Sequence, residues 1–194
     1  MLYTRKGDNG TTKTFGCDQR ISKSSAVAEA LGSLDEANSF LGLARARTQG
    51  KSFEIEKASP VGLQPREKIN FADVVLEVQQ NLFIVQAEVA GAEFSIGEDK
   101  VKRVETIVDG IEKILPPIKN FFISGATKDG AVLDITRTLI RRAERRVIAA
   151  KEEGKIKVSA ETLSYLNRLS SLLYALARIA SYIEGVEEIK PDYK

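Results

Sequence analysis

Apolar residues return at spacings of three and four along most of the chain, the period of a helix with one buried face. Val27, Ala30, Leu34, Ala37, Leu41 and Ala44 predict a first helix from roughly Ser24 to Thr48. Phe71, Val75, Val78, Leu82, Val85 and Val89 predict a second, with Gly91 near its end. A third, shorter helix carries Ile107, Ile111, Ile114 and Leu115; Glu98 and Asp99 precede it, and Pro116-Pro117 stops it by disfavouring helical geometry at the preceding residue. Val132, Leu139, Ala143 and Val147 mark a fourth from about Gly130 to Glu153, with Gly154 suited to its C-terminal cap. The fifth, roughly Ser159 to Glu184, has two stripes, Leu163-Leu166-Leu173-Ala177 and Tyr165-Leu169-Leu172-Leu176-Ile179.

The segments between these helices carry no such period. Residues 1–23 are rich in Gly, Thr and charge and read as an ordered loop or a floppy tail. Residues 49–68, with turn signals such as Ser59-Pro60 and Gln64-Pro65, read as a dispensable surface loop. Phe121 to Thr127 form a connector with two exposed-looking rings. Five helices and no convincing strand pair predict an all-α five-helix bundle of one domain: loop 1–23, bundle 24–185 and tail 186–194. A fifth helix apolar on two flanks predicts a homo-oligomer, one flank lying against a second subunit.

Composition removes several chemistries. The 194 residues contain no His and a single Cys17, which excludes Ser-His-Asp and Cys-His nucleophiles, His-ligated zinc and an intrachain disulfide. No apolar run approaches the ~18 residues that cross a bilayer, and the N-terminus lacks the apolar core of a signal peptide, so the expectation is a soluble, cytoplasmic protein without a membrane partner. With 29 Lys+Arg against 27 Asp+Glu, the net charge of +2 offers no general field for nucleic acid.

Charge is instead concentrated locally. Residues 4–12, TRKGDNGTT, have the glycines, hydroxyls and cations of a phosphate-binding loop without being a Walker A sequence; a flexible Gly-rich terminus is the other reading. Residues 137–146, RTLIRRAERR, hold five Arg, and Asp134, Arg137, Arg141, Glu144 and Arg145 share one helical face. A solvated face, a nucleic-acid surface and a polyphosphate site all use such runs; near-neutral overall charge and the intervening acids favour the compact polyphosphate over nucleic acid. Asn167, Ser171, Tyr174 and Arg178 form a second polar seam on the fifth helix. Asp35-Glu36, inside an apolar helix, is either exposed or paired with an Arg of the fourth helix.

Together these segments resemble the PduO-type ATP:corrinoid adenosyltransferases. The resemblance runs through Tyr3, Thr4, Arg5, Gly7, Asp8, Gly10 and Thr12, then Lys23, then Gly32, Asp35, Glu36, Asn38, Ser39 and Gly42, then Arg137 to Arg145, and finally Asn167 to Ser170 with Ala177-Arg178. It implies a homotrimer with sites between neighbours and transfer of the 5′-deoxyadenosyl group of ATP to cob(I)alamin, giving adenosylcobalamin and triphosphate. A nucleotide-dependent corrinoid carrier is the alternative function. The resemblance further implies that Thr4, Arg5, Lys6, Gly7, Thr12 and Lys13 wrap the triphosphate with Mg²⁺, that Lys23 adds charge, and that Arg141, Arg142, Glu144, Arg145 and Asn167 complete the ATP site. Arg137 would pair with Asp35 of the adjacent subunit beside the corrinoid, and Phe121 would fill the space under the corrin. A flavoprotein reductase and an adenosylcobalamin-dependent mutase are the implied partners. The chain departs from the family pattern at Asp134, where a His is usual, at Ser171, where an Asp is usual, and at Ser124-Gly125-Ala126.

Overall fold

Helical periodicity and turn chemistry give five helices and two short hairpins in a computed structural model that describes residues 3, 5–14, 20–56 and 66–193. In chain order these are β1 (Thr11–Lys13), β2 (Arg20–Ser22), α1 (Ala26–Arg47), β3 (Ser52–Glu56), β4 (Arg66–Asn70), α2 (Phe71–Val89), α3 (Glu98–Ile114), α4 (Lys128–Glu152) and α5 (Ala160–Ile183). Side-chain oxygens of Ser25, Thr127 and Ser159 cap α1, α4 and α5 by accepting from the N–H three residues on.

The core runs the length of the bundle. Leu34 and Leu41 of α1, Val75 and Leu82 of α2, Ile107 and Ile111 of α3, Leu133 and Ile140 of α4, and Leu166, Leu169 and Leu173 of α5 are all almost fully buried. Each such side chain contributes roughly 1.5–3 kcal/mol by leaving water. Glu36 of α1 bridges Arg142 of α4, and Arg47 of α1 bridges Asp129 of α4, so the two helices run antiparallel. Asn167 with Glu144, and Arg137 with Tyr174, show the same for α5 against α4. The polar face of α4 is therefore framed by α1 on one side and α5 on the other.

Four sequence expectations change. Residues 49–68 are not simply a surface loop: β3 and β4 pair antiparallel with Ser52 opposite Asn70, and Phe53, Ile55 and Ile69 face the core. Phe53 meets Phe71 edge-on at 5.1 Å between ring centroids, and Gly110 lets α3 close on Ile55. Within residues 1–23, β1 and β2 form another antiparallel pair, Thr11 opposite Ser22. The two apolar flanks of α5 are both covered inside the chain, because α3 and α4 each pack against it; the oligomer does not follow from that helix. The helical class and the five helices stand as expected.

Residues 186–193 are also more than a tail. Ile123 donates its backbone N–H to the Ile189 carbonyl at 2.8 Å, and Glu188 pairs with the buried Arg178. The C-terminal segment thus folds back onto the connector between α3 and α4.

Candidate active site

At the N-terminal loop, two glycines and one arginine set the geometry. Gly10 takes φ 76°, a conformation that costs glycine little, and its carbonyl accepts from the Lys23 N–H at 2.9 Å. Gly7 lies under the Lys23 side chain: a Cβ there would stand 3.1 Å from the ammonium nitrogen. Arg20, which sequence reasoning missed, holds the loop together by donating to the Lys6 carbonyl, to the Thr11 carbonyl at 2.9 Å and to the Thr11 hydroxyl at 2.7 Å. The loop thereby gathers Arg5, Lys6, Lys13 and Lys23 at the entrance to α1, with Arg5 over the Tyr3 ring at 5.3 Å. Thr4 lies outside the described residues.

Along α4, the expected face is present with its side chains in different states of engagement. Arg141 and Arg145 project into solvent. Glu144 accepts from the Asn167 amide at 3.0 Å, joining α4 to α5. Arg142 points the other way and bridges Glu36 of α1, so of the Asp35-Glu36 pair it is Glu36 that finds its Arg within the chain while Asp35 stays exposed.

Near the N-terminal end of α4, Arg137 donates to Asp134 at 3.2 Å and lies 5.8 Å from the centre of the Tyr174 ring. The departure at Asp134 thus gives this Arg an internal partner. Burial pushes the Tyr174 phenol above its usual value, so it stays neutral at physiological pH. Arg137 and Tyr174 open into a cleft of about 830 Å³ also lined by Phe121, Phe122, Ser171 and Tyr193. Phe121 is 80% exposed and, with the equally exposed Tyr193, leaves aromatic surface open on the cleft. Such a cleft, apolar on one wall and cationic on the other, suits a large planar ligand next to an anion.

The chain thus brings Arg137 and Phe121 to one cleft, Glu144 and Asn167 to one contact, and Lys23 onto Gly7. It does not bring Arg137 to its own Asp35. Nor does it bring the loop to the cleft: the loop enters α1, whose start lies beside the end of α4, whereas Phe121 precedes the start of α4. At 1.5 Å per residue α4 is ~37 Å long, and the Arg face occupies the stretch between.

Comparison with known proteins shows the family and the fold. The family described as Cobalamin adenosyltransferase matches residues 2–180. A corrinoid adenosyltransferase of Bacillus subtilis (strain 168) is 34% identical over 196 residues, covering 97% of this chain and 91% of that protein. One from Citrobacter freundii is 33% identical over 198 residues, covering 98% and 97%. A solved structure of a variant PduO-type ATP:corrinoid adenosyltransferase from Lactobacillus reuteri, complexed with cobalamin and ATP, superposes with a TM-score of 0.83 at 26% identity, covering 100% of this chain and 97% of that one. By sequence over nearly its full length and by fold, the chain belongs to the cobalamin adenosyltransferase family.

Proposed function

We infer that this chain transfers the 5′-deoxyadenosyl group of ATP to a reduced corrinoid such as cob(I)alamin and releases triphosphate. The observation that carries the reading is the juxtaposition on one helix of the Phe121–Arg137 cleft and the Arg141–Arg145 face, an apolar site for a macrocycle beside a cationic site for a polyanion. The electron pair of Co(I) attacks C5′ of ATP, the C5′–O bond breaks, and its electrons leave on the triphosphate. The nucleophile is the corrinoid's own, so a chain without His lacks nothing that the step requires.

Its side chains position and neutralise. Arg141, Arg145 and the loop cations Arg5, Lys6, Lys13 and Lys23, with Thr4, Gly7 and Thr12, hold MgATP and take up the charge that grows on the leaving group, while Arg142, turned to Glu36, braces α4 against α1 behind that face. Glu144 and Asn167 fix the nucleotide end of the face, their mutual hydrogen bond keeping both side chains in place. Phe121 lies against the corrin face opposite the attack, excluding water and the lower axial ligand, so that four-coordinate Co(II) is more readily reduced. Arg137 closes the cleft and reaches Asp35 of a neighbouring subunit.

The placement of loop and Phe121 at opposite ends of α4 supports sites completed by a neighbouring subunit's loop, and the family resemblance makes that assembly a homotrimer. The whole of 1–194 acts as one domain, with 1–23 as its nucleotide loop. No helix among the described residues is long and apolar enough to cross a membrane; we place the enzyme in the cytoplasm, supplied by a flavoprotein reductase and serving an adenosylcobalamin-dependent mutase.

Anaerobic mixing of cob(I)alamin, MgATP and the protein tests the reading, with loss of the Co(I) absorbance and product mass as readouts. Adenosylcobalamin with stoichiometric triphosphate is expected; bound ATP without product overturns catalysis in favour of a carrier. Replacing Arg141 with Ala removes one donor to the leaving group and lowers kcat about 100- to 1,000-fold with the melting temperature unchanged.

A further inference from the structure

Among the described residues, Arg178 of α5 is the arginine most withdrawn from solvent, at 6% exposure, and the function proposed above gives it no role. Three segments meet on its guanidinium. Its Nε donates to both Glu188 oxygens, at 2.9 and 3.2 Å, and a terminal nitrogen reaches Glu188 at 2.9 Å. That nitrogen also donates to the Pro116 carbonyl at 3.4 Å, and the guanidinium lies 5.2 Å from the centre of the Phe122 ring. Pro116 and Phe122 lie in the connector that carries Phe121, while Glu188 belongs to the C-terminal segment whose Lys190 and Tyr193 form the other wall of the cleft. One buried cation therefore fixes both walls against α5, and the Ile123–Ile189 backbone bond locks them to each other.

We propose that Arg178 is a positioning residue for the corrinoid half of the reaction, holding the Phe121 ring and the C-terminal wall in register through Glu188. This rests on the function inferred above. The planar fork is what the position requires, because one ammonium cannot hold Glu188, the Pro116 carbonyl and an aromatic face together. The effect is confined to one substrate: Arg178 lies in the part of α5 that packs near the start of α4, beyond Arg137 and away from Arg141 and Arg145.

The test compares Arg178→Lys and Glu188→Gln with the unaltered chain, in the adenosylation assay and in the fraction of cob(II)alamin that the MgATP-loaded protein converts to the four-coordinate form, read by electron paramagnetic resonance. Expected is a loss of about tenfold or more in kcat/KM for the corrinoid and a smaller four-coordinate fraction, with KM for ATP within about twofold. Glu188→Gln, which alters only a partly exposed acid of the C-terminal segment, keeps the test informative if Arg178→Lys is poorly folded. Parallel losses toward ATP and corrinoid, or an unchanged four-coordinate fraction, overturn the positioning role. An unaltered chain that makes no adenosylcobalamin overturns the function itself, a result separable from variants that match an active parent.

Discussion

Two residues show how differently a single side chain is constrained in the core and at the site. Gly110 of α3 has no room for a Cβ: one built there would stand 2.7 Å from both Cβ and Cγ2 of Ile55, whose side chain is buried and branched at Cβ. The gain in helix propensity from Gly110→Ala, about 1 kcal/mol, is outweighed by overpacking, so the variant is expected to lose about 1–2 kcal/mol in urea unfolding and to displace β3. Phe121 is the opposite case. With 80% of its surface exposed it contributes little to the fold, and Phe121→Ala is expected to leave stability within about 0.5 kcal/mol while corrinoid turnover falls sharply. Equal losses of stability and turnover would show that the ring packs rather than serves the substrate. The Arg face of α4 and the exposed rings of the connector were legible because each is a local pattern, whereas a role for Phe121 came only through the family resemblance. Arg20 and the Arg178–Glu188 pair were not, because an arginine's partner is chosen by tertiary approach, and nothing within a few residues of Arg178 announces Glu188.

At the scale of elements, the five helices were readable because each buries a stripe at the helical period, and their ends carry recognisable caps and stops. The β3–β4 hairpin escaped because its strands are five residues long and offer only Phe53, Ile55 and Ile69 to the core, amid charge and turn signals. The alternation Phe53-Glu54-Ile55-Glu56 was the available sign. Beside that apolar contact, an ionic cluster ties the approach to the hairpin to the bundle. Asp129, 4% exposed near the start of α4, takes Arg47 from the end of α1 and Lys51 from the approach to β3, and Lys51 also meets Glu184 after α5. Burial alone would raise the Asp129 carboxyl, but hydrogen bonds from Lys51 and Arg47 outweigh it and hold the group below its usual 3.8. The hydrogen bond that Lys51 donates to Asp129, then the one it donates to Glu184, raises Lys51 above 10.5. A lowered acid stabilises the fold fully above its unfolded value and ceases to as pH falls through its folded value; a raised base does so below its unfolded value and ceases as pH rises. Asp129→Asn is therefore expected to flatten the acid limb of stability below about pH 4 and to leave the neutral-to-acid difference smaller, as read from urea midpoints across that range. An unaltered acid limb would remove the cluster from the account of how the hairpin is held.

Across the whole molecule, the chemistry is distributed along the bundle axis rather than gathered at one end. The Gly- and cation-rich loop stands where α1 begins, the Arg face occupies the middle of α4, and the cleft runs from Phe121, before α4, to Arg137. On the proposed function ATP reaches from the loop cations to the corrinoid, and because Phe121 lies at the other end of α4 from the loop, a neighbour's loop is expected to complete the site. This can be measured without a structure of the assembly. Lys23→Ala disables the loop and Arg141→Ala disables the face, and each protein alone is expected to be nearly inactive. In trimers formed by co-expressing the two, a site that takes its loop from one subunit and its face from the next is intact when an Arg141→Ala chain supplies the loop and a Lys23→Ala chain supplies the face. Random assembly of equal amounts makes about a quarter of sites intact, so activity is expected to return to about a quarter of the unaltered enzyme's. If loop and face of the same chain formed each site, every site in the mixture would carry one defect and activity would stay at the level of the separate variants.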